Sequence, residues 1–123
     1  MASGTLGTVM TTASSYVGAY TATTSISYAT ISINLVNTDA TNQATIRVAI
    51  VSGTDATAAS ASTLTSDGVG TYKKYHIEYG AVVAANGGVL ERTCIPVSAG
   101  DKVFVWSDTA AVAVRVFGLE QAA

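Results

Sequence analysis

The single histidine, His76, is the first residue to consider for chemistry, because an imidazole can act as a general acid or base and as a metal ligand near neutral pH. No other histidine occurs among the 123 residues, so a metal site at His76 would need carboxylates or a second subunit to complete its ligand set. A Ser-His-Asp triad could be written with many serines, but the chain has no Gly-x-Ser-x-Gly motif, whose sharp turn exposes a nucleophile. We interpret His76 as a solvent-facing or interface residue on the strand face that also carries Lys74 and Glu78.

Cys94 is the only cysteine, which excludes an internal disulfide and is typical of a protein assembled in a reducing cytoplasm. The alternation of its strand puts it on the same face as Leu90 and Arg92. Because no second catalytic group is near it in the predicted strand, we predict a buried, inert thiol rather than a nucleophile.

Glu78 and Glu91 are predicted on neighbouring strands, where two carboxylates could flank a sugar as in glycoside hydrolysis. Lys74 and Arg92 are close to them in the predicted strands, so cross-strand ion pairs explain these acidic residues more economically. The chain is therefore predicted not to be an enzyme, with no catalytic, cofactor-binding or metal-ligating residue and no cofactor.

The elements that carry these residues are predicted to be strands, because apolar and polar residues alternate with a period of two. In the first clear strand, 26–37, the face predicted to be buried carries Ala29, Ile31, Ile33 and Leu35. The next strand, 45–52, has Arg47 on the face opposite Ile46 and Val48, so its stem covers apolar surface while its charged head stays in water. Turn-forming residues between the two strands predict a hairpin.

The C-terminal half is predicted to be a meander of strands joined by tight turns, and its first strand places Tyr75, Ile77 and Tyr79 on one face. Pro96 has no N–H to donate to a ladder, so it predicts a sheet edge or a bulge. With the preceding strands this makes the fold class all-β: an antiparallel β-sandwich of about eight strands, jelly-roll-like, forming a single domain over residues 1–123.

Two segments are less regular. Residues 1–25 mix Gly, Thr, Ser and Ala with isolated large residues, which fits either two short edge strands or an extended N-terminal arm. Residues 53–71 have Leu64 and Val69 as their only larger apolar residues and are predicted to form a long low-complexity loop, where connections of about 4 to 6 residues are usual. Such a loop is either a tolerated surface excursion or a contact region.

The composition points to a neutral surface. Charged residues make up 11% of the chain, against roughly 25% in ordinary globular domains, while 30 residues are Ser or Thr and 21 are Ala. A free monomer with so few charges is prone to association, so the composition favours an assembly subunit that buries surface against copies of itself or partners. A monomer solvated by its hydroxyl groups is the alternative.

Two classes of partner are not expected. The net charge is −2 and the six basic residues are scattered, so no basic stripe is present for nucleic-acid binding. No apolar run approaches the roughly 20 residues needed to cross a bilayer, so no membrane partner is expected. The start of the chain lacks the charged region and apolar core of a secretion signal, and the mature chain is expected to be the encoded chain.

The run from residue 75 to 120 resembles small virion structural proteins of tailed bacteriophages, including those of cyanophages. The motifs that carry the resemblance are Ile77-Glu78-Tyr79, GVLERT at 88–93, SAGDKVFV at 98–105 and VRVFGLE at 114–120. The opening MASGTLG and residues 31–48 are similar to the amino-terminal part of the same proteins. The resemblance implies a non-enzymatic β-sandwich that assembles on the particle, often as a trimer, on the head shell or on the tail and neck. The 53–71 segment departs from the family pattern.

Three hypotheses follow. The first is a capsid decoration or cement protein that binds the major capsid protein as a homo-oligomer, with a trimer favoured, and stabilises the head shell in the virion. The second is a tail, neck or fibre module involved in assembly or host-surface attachment, which the 53–71 loop would favour. The third is a carbohydrate-binding sandwich with Trp106, Tyr72 and Tyr75 as a stacking platform, although packing of these rings in the core explains them better. The interface residues expected from the sequence are Arg47, Leu64, Val69, Glu78, Arg92 and Arg115.

Overall fold

The computed structural model describes residues 3–67 and 70–123, and its strands form two antiparallel sheets of four strands each. Sheet A contains, in spatial order, β1 (Ser3–Met10), β8 (Val112–Ala122), β3 (Ile26–Asn37) and β6 (Val89–Ser98). Sheet B contains β2 (Ser15–Thr21), β7 (Lys102–Ser107), β4 (Ala44–Val51) and β5 (His76–Val83). The predicted all-β antiparallel sandwich is confirmed.

The strand order is that of an eight-stranded jelly roll, in which consecutive strands pass from one sheet to the other. Only β4 and β5 are consecutive and in the same sheet. The hairpin predicted between 26–37 and 45–52 is therefore wrong, because β3 pairs with β6 and β8 while β4 pairs with β5 and β7. The C-terminal meander is wrong for the same reason. Local sequence marks where the chain turns, but the same turn residues serve a hairpin and a corner between sheets.

The main core lies between the two sheets. The four residues predicted to be buried on β3, namely Ala29, Ile31, Ile33 and Leu35, are all 0% exposed. They belong to one cluster with inward-facing residues of sheet B, which include Ile46, Val48, Val103 and Val105. Burying one such aliphatic side chain contributes about 1.5 to 3 kcal/mol, so this core accounts for the face-to-face packing of the sheets.

A second core lies on the outer face of sheet B, beneath the segment that was predicted to be a loop. This segment instead forms two short helices, α1 (Gly53–Ala58) and α2 (Ala61–Thr65). The second cluster joins Ala56, Ala59 and Leu64 of the segment, and Tyr72 just after it, to Tyr16, Ala49, Val51 and Phe104 of the sheet. Helices this short are unstable alone, so their stability comes from burial against the sheet and from a capping box at Ser60 and Thr63. None of the helices described is long and apolar enough to cross a membrane.

Bulges in the two edge strands β5 and β6 change which residues face outward. In β6 the register shifts between Arg92 and Ile95, so Thr93 and Cys94 together oppose Ser32. Cys94 has a φ of 58° and is exposed. The predicted buried thiol is therefore wrong, because a period of two does not continue through a bulge. The other two edge strands, β1 and β2, come from the first 25 residues.

Candidate functional site

A row of four large side chains crosses the outer face of sheet B. Tyr16, Trp106, Arg47 and Tyr79 are direct cross-strand neighbours on β2, β7, β4 and β5. Residues opposite each other in adjacent antiparallel strands share a face and contact one another. One cation is therefore placed among three aromatic rings.

The guanidinium of Arg47 lies between two of these rings. Its carbon is 4.2 Å from the ring centroid of Trp106 and 4.5 Å from that of Tyr79, both within the range of a cation–π interaction. The two rings belong to the cross-strand neighbours of Arg47 on β7 and β5, so they lie on either side of its strand. Arg47 was predicted to keep its head in water, whereas the structure holds it stacked and half-buried.

His76 reaches the same face because β5 is bulged. The register shifts between Glu78 and His76, so His76 pairs with Ala49 and shares the outer face with Tyr79. Strict alternation had placed these two residues on opposite faces. Their rings meet edge to face with centroids 4.9 Å apart.

The hydrogen bonds of His76 define its tautomer. Nδ1 is 3.1 Å from the carbonyl oxygen of Tyr72 and 3.2 Å from that of Lys73, and carbonyl oxygens only accept, so we assign the proton to Nδ1. Nε2 then accepts from the hydroxyl of Tyr16, 2.8 Å away. Burial lowers the pKa of His76 below its ordinary value, and these bonds to the carbonyls act against that effect. Burial also raises the pKa of Tyr16, against the opposing effect of Arg47. His76 is therefore neutral at pH 7.

A small pocket of about 90 Å³ opens beside this group. Its lining is Tyr16, Arg47, Leu64, Thr65, Asp67, Tyr72, Lys73, His76, Tyr79 and Trp106. The Asp67 carboxylate accepts backbone N–H bonds from Tyr72 at 2.9 Å, Thr71 at 3.1 Å and Gly70 at 3.2 Å. These bonds, that of Tyr72 first, lower the pKa of Asp67. The carboxylate is thus occupied in ordering the chain that borders the pocket.

The Tyr16 hydroxyl bonded to the neutral imidazole has a raised pKa, so it is not activated as a nucleophile. Among residues 3–67 and 70–123, no group of three or more His, Cys, Asp or Glu is placed to hold a metal ion.

Within residues 3–67 and 70–123, no helix lies over the outer face of sheet A, and few charged side chains lie on it. One cross-strand row consists of Met10, Ala113, Val36 and Val89. The adjacent row consists of Thr8, Arg115, Asn34 and Glu91. Met10 and Val89 are 49% and 59% exposed, and a shallow depression lies between the two rows on β1, β8 and β3. This face presents apolar and hydroxyl-bearing side chains with one cation and one anion on separate strands.

The residues expected at an interface do not form one surface. Arg47 and Leu64 line the same pocket, but Leu64 is only 4% exposed and belongs to the second core, so it is not available to a partner. Arg115 lies on the outer face of sheet A, where its guanidinium donates to the hydroxyl of Thr5 at 2.7 Å. Val69 lies outside the described residues.

The remaining two, Glu78 and Arg92, form an ion pair with each other. They lie on β5 and β6, which are edge strands of different sheets, so the pair bridges the two sheets along one side of the sandwich. An ion pair was predicted for these residues, but between neighbouring strands of one sheet. Lys74 pairs with Asp55 instead, at 3.7 Å.

The three aromatic residues considered for sugar stacking do not form an open platform. Tyr72 is 9% exposed and lies in the second core. The hydroxyl of Tyr75 donates to Asp55 at 2.6 Å, and Arg47 covers a face of Trp106. These rings serve the packing of the helical segment on sheet B.

No protein-family model matches this chain, and comparison with curated proteins and with solved structures finds no similar protein.

Proposed function

We propose that this chain is a non-enzymatic structural protein of a bacteriophage virion, most concretely a capsid decoration or cement protein that binds the major capsid protein as an oligomer and stabilises the head shell. The observation that carries the proposal is the outer face of sheet A, which is uncovered, nearly uncharged and continuous across four strands. The resemblance of residues 75–120 to phage virion proteins supports the same assignment, and among those proteins a trimer is favoured.

The exposed face has the composition of a protein contact. Interface centres are depleted in charged residues, and their rims are polar. Here the row of Met10, Ala113, Val36 and Val89 provides apolar area, while Arg115 and Glu91 in the next row set the orientation of a partner by their opposite charges. Repetition over a symmetric shell turns many modest contacts into stable attachment.

The tail, neck or fibre module is the alternative, and the segment 53–71 was the feature favouring it. Its described part packs on sheet B through Ala56, Ala59 and Leu64 rather than extending away from the domain. This leaves the decoration role better supported. The carbohydrate-binding alternative loses its stacking platform at Trp106, Tyr72 and Tyr75.

The face assignment is tested with a matched pair of substitutions. Val89 and Val82 are similarly exposed, at 59% and 54%, but Val89 lies on sheet A and Val82 on sheet B. We expect Val89→Asp to abolish co-sedimentation with head shells that lack the protein, because it places a charge in the apolar row, while Val82→Asp binds like the wild type. Equal binding by both variants would show that sheet A is not the attachment face.

Two further measurements separate the parts of the proposal. Light scattering on the purified protein at micromolar concentration should give an oligomer mass, and a monodisperse monomer would contradict the self-association. Electron cryomicroscopy of the intact particle should place density for the protein on the head shell. Density confined to the tail would replace the decoration role by the alternative.

A further inference from the structure

We propose that the pocket on the outer face of sheet B binds a small monocarboxylate, with the guanidinium of Arg47 as the group that holds it. This site lies on the opposite sheet from the face proposed for attachment to the shell, and it does not depend on that proposal. Its ligand is a carboxylate group, either of a free small molecule or of an acidic side chain on another protein.

The first argument is that Arg47 has no carboxylate partner. Every Asp and Glu of the chain lies within residues 3–67 or 70–123, and the ion pairs among these residues are Lys74 with Asp55 and Arg92 with Glu78. A half-buried arginine is usually paired. Here the rings of Trp106 and Tyr79 lie 4.2 and 4.5 Å from the guanidinium carbon in the place of a carboxylate, and Tyr16 is its hydrogen-bonding neighbour.

The second argument is that the guanidinium is pre-organised. Trp106 and Tyr79 hold it from both sides as direct cross-strand neighbours, so little side-chain entropy remains to be lost on binding. The edge of a guanidinium presents two parallel N–H donors, whose spacing matches the two oxygens of a carboxylate. A stacked arginine beside a pocket is therefore a prepared carboxylate receptor.

The third argument is charge. The ionised groups lining the pocket are Arg47, Lys73 and Asp67, since His76 is neutral at pH 7. Lys73 and Asp67 offset each other, and the interaction between them lowers the pKa of Asp67. One positive charge remains, which matches a monoanion better than a dianion such as hydrogen phosphate.

The fourth argument is size. The pocket has a volume of about 90 Å³, which is enough for a carboxylate group. The hydroxyl of Tyr16 already donates to His76, so Arg47 and Lys73 remain as the donors for the ligand.

The fluorescence of Trp106 can report binding, because Trp106 is the only tryptophan in the chain and it lines the pocket. Its fluorescence is followed during titration with acetate, propionate or a blocked Gly-Glu-Gly peptide, with chloride replaced at constant ionic strength. We expect a saturable change with at least one of these probes. Saturation with acetate or propionate indicates a free ligand, and saturation with the peptide alone indicates the side chain of a partner.

Arg47→Gln is the decisive variant, with Arg115→Gln on the other sheet as its control. Loss of a charge-assisted hydrogen bond to a carboxylate weakens binding about tenfold or more, so Arg47→Gln should bind at least tenfold more weakly and Arg115→Gln like the wild type. Since Arg47 contacts Trp106, the indole resonance in ¹H–¹⁵N spectra serves as a second readout, and circular dichroism checks the fold. Phosphate is titrated in parallel with the carboxylates. Three results would overturn the proposal: no saturation with any carboxylate probe, unchanged affinity in Arg47→Gln, or stronger binding of phosphate than of carboxylates.

Discussion

The outer faces of the two sheets are built from similar strands, but they differ in whether helices cover them. Sheet B carries helices α1 and α2, a second core and an arginine held between two aromatic rings, whereas none of the described helices covers sheet A. The difference starts from a few large residues. Phe104, Trp106 and Tyr16 face outward on sheet B and pack in or against the second core, whereas Met10, Tyr28 and Leu119 of sheet A are 49%, 51% and 49% exposed. The large side chains on the outer face of sheet B are therefore covered within the chain, and those of sheet A remain accessible to other molecules.

The strongest test of this comparison removes the cover of sheet B. Leu64 is 4% exposed under the helical segment, and Leu119 is 49% exposed on sheet A. We expect Leu64→Ala to lower the free energy of unfolding by about 3 kcal/mol, since it leaves a cavity, and Leu119→Ala to change it by less than about 0.5 kcal/mol. Urea denaturation measures both. Equal effects would mean that the two faces contribute alike.

A smaller effect is expected at the start of α2. The side chain of Ser60 accepts from the backbone N–H of Thr63 at 3.3 Å, and the hydroxyl of Thr63 accepts from the N–H of Ser60 at 2.8 Å. Ser60→Ala should lower the free energy of unfolding by about 1 kcal/mol. Ser27→Ala on β3 is the control and should have little effect. No loss in Ser60→Ala would show that packing alone holds the helix.

The free energy of unfolding should depend on pH because His76, on the outer face of sheet B, is neutral in the folded protein. Because burial lowers the pKa of His76 below 6.5 in the folded protein, the unfolded chain binds a proton more readily. The free energy of unfolding is therefore constant above about pH 6.5 and falls as the pH drops below it. Asp39 and Asp67 also have lowered pKa values, but their ordinary pKa is 3.8. Their protonation therefore lowers the free energy of unfolding only at a more acidic pH than that of His76.

Denaturation between pH 7.5 and 5 isolates the histidine from those carboxyl groups. His76→Gln, which keeps a side chain able to hydrogen-bond Tyr16, should flatten the curve in this interval. A slope unchanged by the substitution would assign the proton to another group.

The smallest effect is expected on the uncovered sheet. Cys94 holds a positive φ of 58° in the bulge of β6, which glycine adopts without steric cost. Relief of strain is partly offset by the greater entropy of glycine in the unfolded chain, so Cys94→Gly should gain only a few tenths of a kcal/mol, and Cys94→Ala should gain nothing. In the native protein a thiol reagent should modify Cys94 rapidly. Protection until unfolding would contradict its exposure.

How far the sequence predicted the site is best judged residue by residue. The alternation placed Arg47 on the face opposite Ile46 and Val48, and the structure agrees. It could not make Arg47 a neighbour of Trp106, because β4 and β7 are far apart in the chain and their pairing depends on the whole sheet. His76 and Tyr79 were placed on opposite faces, and only the bulges of β5 bring them together. No spacing in the sequence marks those bulges, apart from Gly80 with its φ of 93°.

What the sequence determined by itself was the class of fold and the low charge of the surface, because a period of two and an amino-acid composition are local properties that survive any arrangement of the strands. The tertiary structure decided the jelly-roll order, the helices over sheet B, the exposure of Cys94 and the stacking of Arg47. Each of these depends on contacts between residues distant in the chain, such as β1 with β8 and β2 with β7. Residues 53–65 become helical only because Leu64 has a sheet to pack against, and that sheet is assembled from strands on both sides of the segment.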